Sequence, residues 1–178
     1  MTALTLRHCT TNDLPDIRQL LLDVHDDCYS HSRDDFDTRE RFTWFVNHWG
    51  SHSGFTCVIG YKDEEPIGYA YGAPATSGRE WWRSTSYIPH NGYTATYHLS
   101  ELMIRPKWRG AGYSSQIHDA LLADRTDHLA ALCVDITHPK VQELYEEWGY
   151  VKVGEDQPFA DSPVFAVMVK ELHTTAAA

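Results

Sequence analysis

The chain has 178 residues and a net charge of −10, with 42% hydrophobic and 22% charged residues. That is enough chain to bury one core, in proportions ordinary for a soluble protein. No apolar run approaches the roughly 18 residues of a membrane span, and the acidity argues against a nucleic-acid partner, whose phosphates it repels. The N-terminus, MTALTLRHCT, has no long apolar centre of the kind a signal peptide carries, so a cytoplasmic protein is expected. Cys9, Cys28, Cys57 and Cys133 are widely scattered, without the close Cys or Cys/His spacing of a zinc site or a disulfide framework, and read as buried thiols. No HExxH or comparable histidine pair stands out among the 11 histidines, so no metal is expected.

In chain order, LTLRHC alternates like a half-buried strand. TTNDLPDIRQLLLDVHDD is predicted to be a helix, capped by Thr11 or Asn12, with Pro15 in its first turn and Ile17, Leu20, Leu21 and Val24 inward. CYSHSRDDFD reads as a loop. TRERFTWFVNHWG reads as a second helix carrying Phe42, Phe45, Val46 and Trp49, with Gly50 as its stop. FTCVIGY and PIGYAYG flank the turn KDEE as a hairpin. TSGREWWRSTSYIPHNGY is irregular, with EWWRS as a short strand.

TATYHLSELMI is a long strand, and GYSSQIHDALLADRTD a helix with Ile117, Leu121 and Leu122 inward. LAALCVDI is a continuous apolar run, expected of a buried central strand. HPKVQELYEEWG is a short helix, and YVKVGE and SPVFAVMVKEL are the last strands. Without repeats or linkers, residues 1–172 are expected to form one domain, with 173–178 a frayed tail. The order β-α-α-β-β-β-α-β-α-β-β contains one strand-helix-strand crossover. It predicts an α+β fold: a mixed, mostly antiparallel sheet with one parallel strand pair and helices on both faces.

The stretch RPKWRGAGYSS stands between that long strand and the following helix. A glycine-rich turn there leaves helix N-terminal N–H groups open to an anion, typically phosphate. Gly110 and Gly112 let the anion approach the backbone, and Lys107 and Arg109 add positive charge. The P-loop pattern and the dinucleotide-binding pattern are both absent. On spacing alone, a tight turn needing glycine for its own geometry explains the stretch equally well.

RGAGYS after ELMIRPKW resembles the pyrophosphate loop of the GNAT N-acetyltransferase superfamily, Arg/Gln-x-x-Gly-x-Gly/Ala. Arg109 and Gly112 match, and Ser114 replaces the last small residue. The element order also matches, and HPKVQELYEEWGYVKVGE is similar to the family's closing αβ unit. The resemblance implies acetyl-CoA as cofactor, with Arg109, Gly110, Ala111, Gly112, Tyr113 and Ser114 around its phosphates. It implies that the backbone of Leu102, Met103 and Ile104 pairs with the pantetheine arm, along a strand splayed from LAALCVDI. His138 stands where the family has a cofactor-contacting asparagine.

Acetyl transfer from a thioester to an amine needs a base for the ammonium and an acid for the leaving thiolate. Tyr145, seven residues after His138, falls where the family places a tyrosine beside the CoA sulfur. Glu101 interrupts the apolar run LSELMI, where a carboxylate faces a cleft or carries a raised pKa. It is the expected general base, with a solvated glutamate as the plain alternative. His98 and Ser100 alternate with it and are expected on the opposite face.

For the acceptor, Asp27, Tyr29 and Asp35 from the first loop region and Trp82 and Tyr93 from the second would suit a cation through ion pairing and cation–π contact. Each aspartate taken singly reads first as part of a solvated loop, and the tryptophans read equally as core or as a homodimer contact. The expected function is acetylation of a primary amine on a small, cationic metabolite, polyamine or antibiotic. The alternatives are a peptide N-terminus or protein lysine as acceptor, or a CoA-binding sensor without catalysis.

Overall fold

The computed structural model describes residues 3–173, so the tail expected to be frayed lies, beyond His173, outside the described residues. Strands and helices alternate as β1 (Thr5–Thr10), α1 (Leu14–Tyr29), α2 (Arg39–Gly50), β2 (Thr56–Lys62), β3 (Glu65–Pro74), β4 (Thr96–Ile104), α3 (Tyr113–Leu122), β5 (Leu129–Asp135), α4 (Pro139–Glu147), β6 (Val151–Asp156) and β7 (Phe165–Glu171). The hydrogen-bonded strand order is β1-β2-β3-β4-β5-β7-β6. β1 with β2, β2 with β3, β5 with β7 and β6 with β7 are antiparallel. The crossover through α3 produces the parallel pair expected from sequence, with Thr96, Tyr97 and His98 beside Leu129, Ala130 and Ala131.

The described chain divides into two compact units. One holds 3–73 and 100–124, the other 74–99 and 125–173. In the first, α1 turns Leu14, Ile17, Leu21, Leu22, Val24 and His25 inward. Leu22 thus takes the buried place expected of Leu20, which is only half-buried. The helix starts at Leu14, after a short 3-10 turn over Thr11–Asp13, so Asp13 rather than Thr11 or Asn12 stands at its cap position. The Asp13 carboxylate accepts the Thr10 N–H at 2.8 Å.

The same helix runs on through Cys28 and Tyr29, which had read as loop. His25 explains this. Its ring stacks on Tyr29 at 4.8 Å, one helical turn on, and on Phe42 of α2 at 4.1 Å.

In α2, Phe42, Val46 and Trp49 are buried and Phe45 half-buried. Gly50 is the last helical residue, and its role is close packing. A Cβ there would lie 2.2 Å from Leu14 Cδ2. The hairpin turn is tighter than KDEE suggests: Lys62 pairs with Glu65, and Asp63 and Glu64 both have positive φ, 49° and 68°. Those two left-handed residues match a type I′ turn.

Gly68 of β3 is a second close approach. A Cβ there would meet the Met103 carbonyl oxygen at 2.3 Å and Ile104 Cα at 3.0 Å. Backbone cannot step aside as a side chain can, so Gly68→Ala is expected to lower unfolding free energy by about 2 kcal/mol or more, measured by urea denaturation. An unchanged midpoint would contradict this contact.

In the second unit, Trp82, Leu129, Ala131, Val167 and Val169 form a buried cluster, with Trp81, Tyr87, Cys133 and Val153 packed against it. EWWRS is not a strand. Trp81–Ser84 is a 3-10 turn, in which Glu80 and Arg83 pair across three residues. Such a pair suits a helical turn and would fall on opposite faces of a strand. Among the described residues no helix is long and apolar enough to cross a membrane.

Candidate active site

β4 ends at Ile104, and Pro106–Trp108 makes one 3-10 turn. Gly110 and Gly112 follow with φ of 79° and 74°, which glycine adopts without the strain of a Cβ. Nothing lies within 4 Å of where either Cβ would stand. Gly112 is the residue before α3, and no side chain caps that helix. The neighbouring polar groups bond to a carbonyl instead: Ser115 Oγ and Gln116 Nε2 donate to Gly112 O at 2.9 and 3.3 Å. The first N–H groups of α3 and the helix dipole therefore meet an uncrowded turn, as an anion site requires. Gly110, Ala111 and Gly112 are exposed, Tyr113 and Ser114 half-buried.

The two basic side chains are engaged on protein groups. Lys107 Nζ pairs with Glu65 at 2.7 Å. Arg109 Nε donates to Ile104 O at 2.9 Å. The same carbonyl accepts the Cys28 thiol from α1 at 3.4 Å. Ile104 O is thus held by two donors. Met103 and Ile104 are buried and Leu102 half-buried.

Glu101 is half-buried in the strand just before them. Burial pushes its carboxyl up to about 8, against a lowering by the Leu102 backbone N–H and a further raise from Asp37. Its charge in turn raises the thiol of Cys28 and the phenols of Tyr29, Tyr69 and Tyr71, in each of which burial is the larger cause. The first unit therefore gathers Cys28, Tyr29, Asp37, Tyr69, Tyr71 and Glu101 into one electrostatic neighbourhood. Tyr69 and Tyr71 were not singled out as site residues from sequence, and Asp37 only as one acid of a polar loop. The alternation in GYAYG could have marked the tyrosines, but only strand pairing shows what they face.

The remaining candidates fall in different settings. Asp27 is paired with Arg105. Both line a surface groove of about 370 Å³ with Ser30, Glu65, Pro106 and Lys107. Since Glu65 is paired with Lys107 as well, the groove's acids are already neutralised. Asp35 is exposed, in the 3-10 turn Asp35–Asp37. In the second unit Trp82 is 3% exposed and donates Nε1–H to Thr96 Oγ1 at 3.0 Å. Its ring is a core element, not an acceptor platform. Tyr93 is exposed and stacks on His128 at 4.2 Å.

His98 stacks on Trp81 at 3.9 Å and takes the Trp81 N–H on Nε2 at 3.2 Å, which commits that nitrogen. His138 precedes α4, is exposed, and lies 3.5 Å from Asp135 through Nδ1. Tyr145 is buried on α4, with edge contacts to Trp148 and Tyr150 at 5.3 and 5.6 Å.

Comparison with known proteins bears on the fold and the family. The acetyltransferase (GNAT) family profile matches residues 16–150. A GNAT-family protein from Desulfovibrio desulfuricans superposes with TM-score 0.69 at 16% identity, covering 96% of this chain and 100% of its own. PaiA N-acetyltransferase from Thermoplasma acidophilum, solved with coenzyme A, gives 0.57 at 10%, covering 96% and 99%. A chimera of spermidine N-acetyltransferase SpeG from Vibrio cholerae and hSSAT gives 0.60 at 16%, covering 96% of both. No curated protein matches in sequence. The chain belongs to the GNAT acetyltransferase family, whose enzymes take the acetyl group from acetyl-CoA.

Proposed function

We propose that this protein is an N-acetyltransferase that moves the acetyl group of acetyl-CoA to a primary amine on a small, cationic acceptor. The observation that carries this reading is Glu101. Its carboxyl, pushed up to about 8 by burial, is matched to taking a proton from an ammonium near neutral pH. Asp37 adds a second carboxylate to the same neighbourhood, which favours a cation over a neutral amine. The spermidine enzyme among the structural neighbours acts on an acceptor of that kind.

In this reading the N–H groups around Gly110–Ser114 hold the cofactor's phosphates, and the backbone of Leu102 and Met103 orients the pantetheine arm. Glu101 takes the ammonium proton and the freed amine attacks the thioester carbonyl. The amide forms as the C–S bond breaks. Tyr145 gives its proton to the departing thiolate, with His138 as a cofactor contact. Acetyl-CoA supplies the activated acetyl group.

The test is a thermal-shift titration with CoA and acetyl-CoA, followed by CoA release across a panel of diamines, monoamines and peptides. Binding to the native state raises the melting temperature by mass action, by several degrees at ligand far above Kd. CoA release with the cationic amines is the expected result. Turnover confined to peptides would overturn the small-acceptor assignment, and no shift with CoA would overturn the phosphate-loop reading.

A further inference from the structure

The end of α2 carries two histidines four residues apart, His48 and His52, in the stretch HWGSH. Gly50 stands between them and reads as a helix stop, so the spacing alone does not place them on one face. The backbone nevertheless keeps its helical path past Gly50. Ser51 is right-handed, its N–H donates to Asn47 O at 3.2 Å, and His52 N–H donates to Trp49 O at 3.0 Å. The two histidines are therefore neighbours one turn apart. Their ring centroids lie 4.6 Å apart, with the planes at 72°. Two imidazoles that share one ion, each nitrogen about 2.0–2.1 Å from it, have centroids roughly 4.5–5 Å apart at the bond angles of a tetragonal or tetrahedral ion. The backbone already supplies that spacing.

Both rings are held in place. His48 lies parallel to Trp44 at 5.0 Å, and His52 stacks on Trp49 at 5.0 Å. His52 Nδ1 lies 2.8 Å from His48 O. A carbonyl oxygen only accepts, so Nδ1 carries the hydrogen and Nε2 keeps its lone pair. A ring N–H given to a backbone carbonyl is the arrangement that orients metal-ligating histidines. Helix capping does not account for it, because His48 O already accepts the Ser51 hydroxyl at 2.7 Å. His48 itself is exposed, and its ring nitrogens hold no hydrogen bond among the described residues. Partial burial, then the neighbouring His52 ring, holds the His48 imidazole below its ordinary value, towards the neutral form a metal ion takes.

We propose that His48 and His52 form a site for one divalent transition-metal ion of the class that prefers imidazole, Cu²⁺, Ni²⁺ or Zn²⁺, bridged between the two rings at the end of α2. Among the described residues no group of three or more His, Cys, Asp or Glu is placed to hold a metal ion. The protein therefore supplies two ligands and water fills the remaining positions, which makes the site a reversible one. Of the three ions Cu²⁺ binds imidazole most tightly. Bound there, the ion clips the turn after Gly50 to the helix before it and stabilises the native state by mass action. The site is independent of acetyl transfer and of the residues assigned to it.

The experiment is a titration of the full chain with Cu²⁺, read by tryptophan fluorescence. Two of the six tryptophans, Trp44 and Trp49, stack on the two ligands, so saturable, partial quenching by the ion is expected. His48→Gln and His52→Gln are each expected to weaken the binding by about 10–100-fold. A second measurement needs no variant: acylation of the wild-type histidines by diethyl pyrocarbonate, mapped by mass spectrometry with and without Cu²⁺. Protection of both His48 and His52 is expected. Quenching that is absent, or that keeps its midpoint in both variants, overturns the site. So does equal reactivity of the two histidines with and without the ion.

Discussion

Gly112→Val is expected to abolish the thermal shift produced by CoA. The left-handed φ of 74° at Gly112 costs an L residue about 1–2 kcal/mol, and more with β-branching. Since nothing lies within 4 Å of the position of its Cβ, the protein itself imposes no collision. The loss of apparent stability should therefore stay near that figure, a few degrees in melting temperature. The side chain does stand in the space a phosphate would use above the first N–H groups of α3. If the turn were only a tight connection, the variant would lose the same few degrees and keep its CoA shift. Calorimetric titration of both proteins with CoA separates the outcomes, with a fall in affinity of about 100-fold or more expected when helix-terminal N–H contacts are blocked.

Glu101→Gln is expected to lower the rate of acetyl transfer by about 10²–10⁴-fold, the usual contribution of general base catalysis. The same variant carries a stability signature of defined sign. The Glu101 carboxyl has a folded-state value of about 8 against an ordinary 4.5, so the folded protein binds the proton more tightly than the unfolded chain. Its contribution is fully present below pH 4.5 and is lost as pH rises through about 8. The glutamine variant has no charge to bury, so it should gain on the wild type across that window and melt higher at pH 9. A melting difference independent of pH would remove burial as the cause of the shift and, with it, the reason for choosing this carboxylate as the base.

Much of the fold was legible because local chemistry and tertiary structure agree. The apolar run Leu129–Val134 lies in a strand flanked by β4 and β7, as its continuous hydrophobicity implied. The inward Ile117, Leu121 and Leu122 of α3 likewise follow from helical spacing. What escaped depends on distant partners. Cys28 and Tyr29 look like the start of a polar loop, yet the helix includes them because a ring stack and a carbonyl 76 residues away receive them. Trp81 and Trp82 suggest a strand by propensity, but a helical turn drops Trp82 into a core built by β5 and β7. At the candidate site, Gly110 and Gly112 were readable because positive φ and open space have a residue signature. Tyr69 and Tyr71 were not, because only the folded chain brings them into the electrostatic neighbourhood of Glu101.

The doubly occupied carbonyl of Ile104 bears on how this sequence can drift. One of its donors belongs to the glycine-rich turn and the other to a thiol on α1. What the position of Cys28 needs, on this geometry, is a short side chain with a hydrogen to give. Serine satisfies that and alanine does not, although alanine matches the apolar surroundings equally well. The cysteine is held in place by its capacity as a donor, so tolerance at residue 28 should follow hydrogen-bonding chemistry rather than size or redox chemistry.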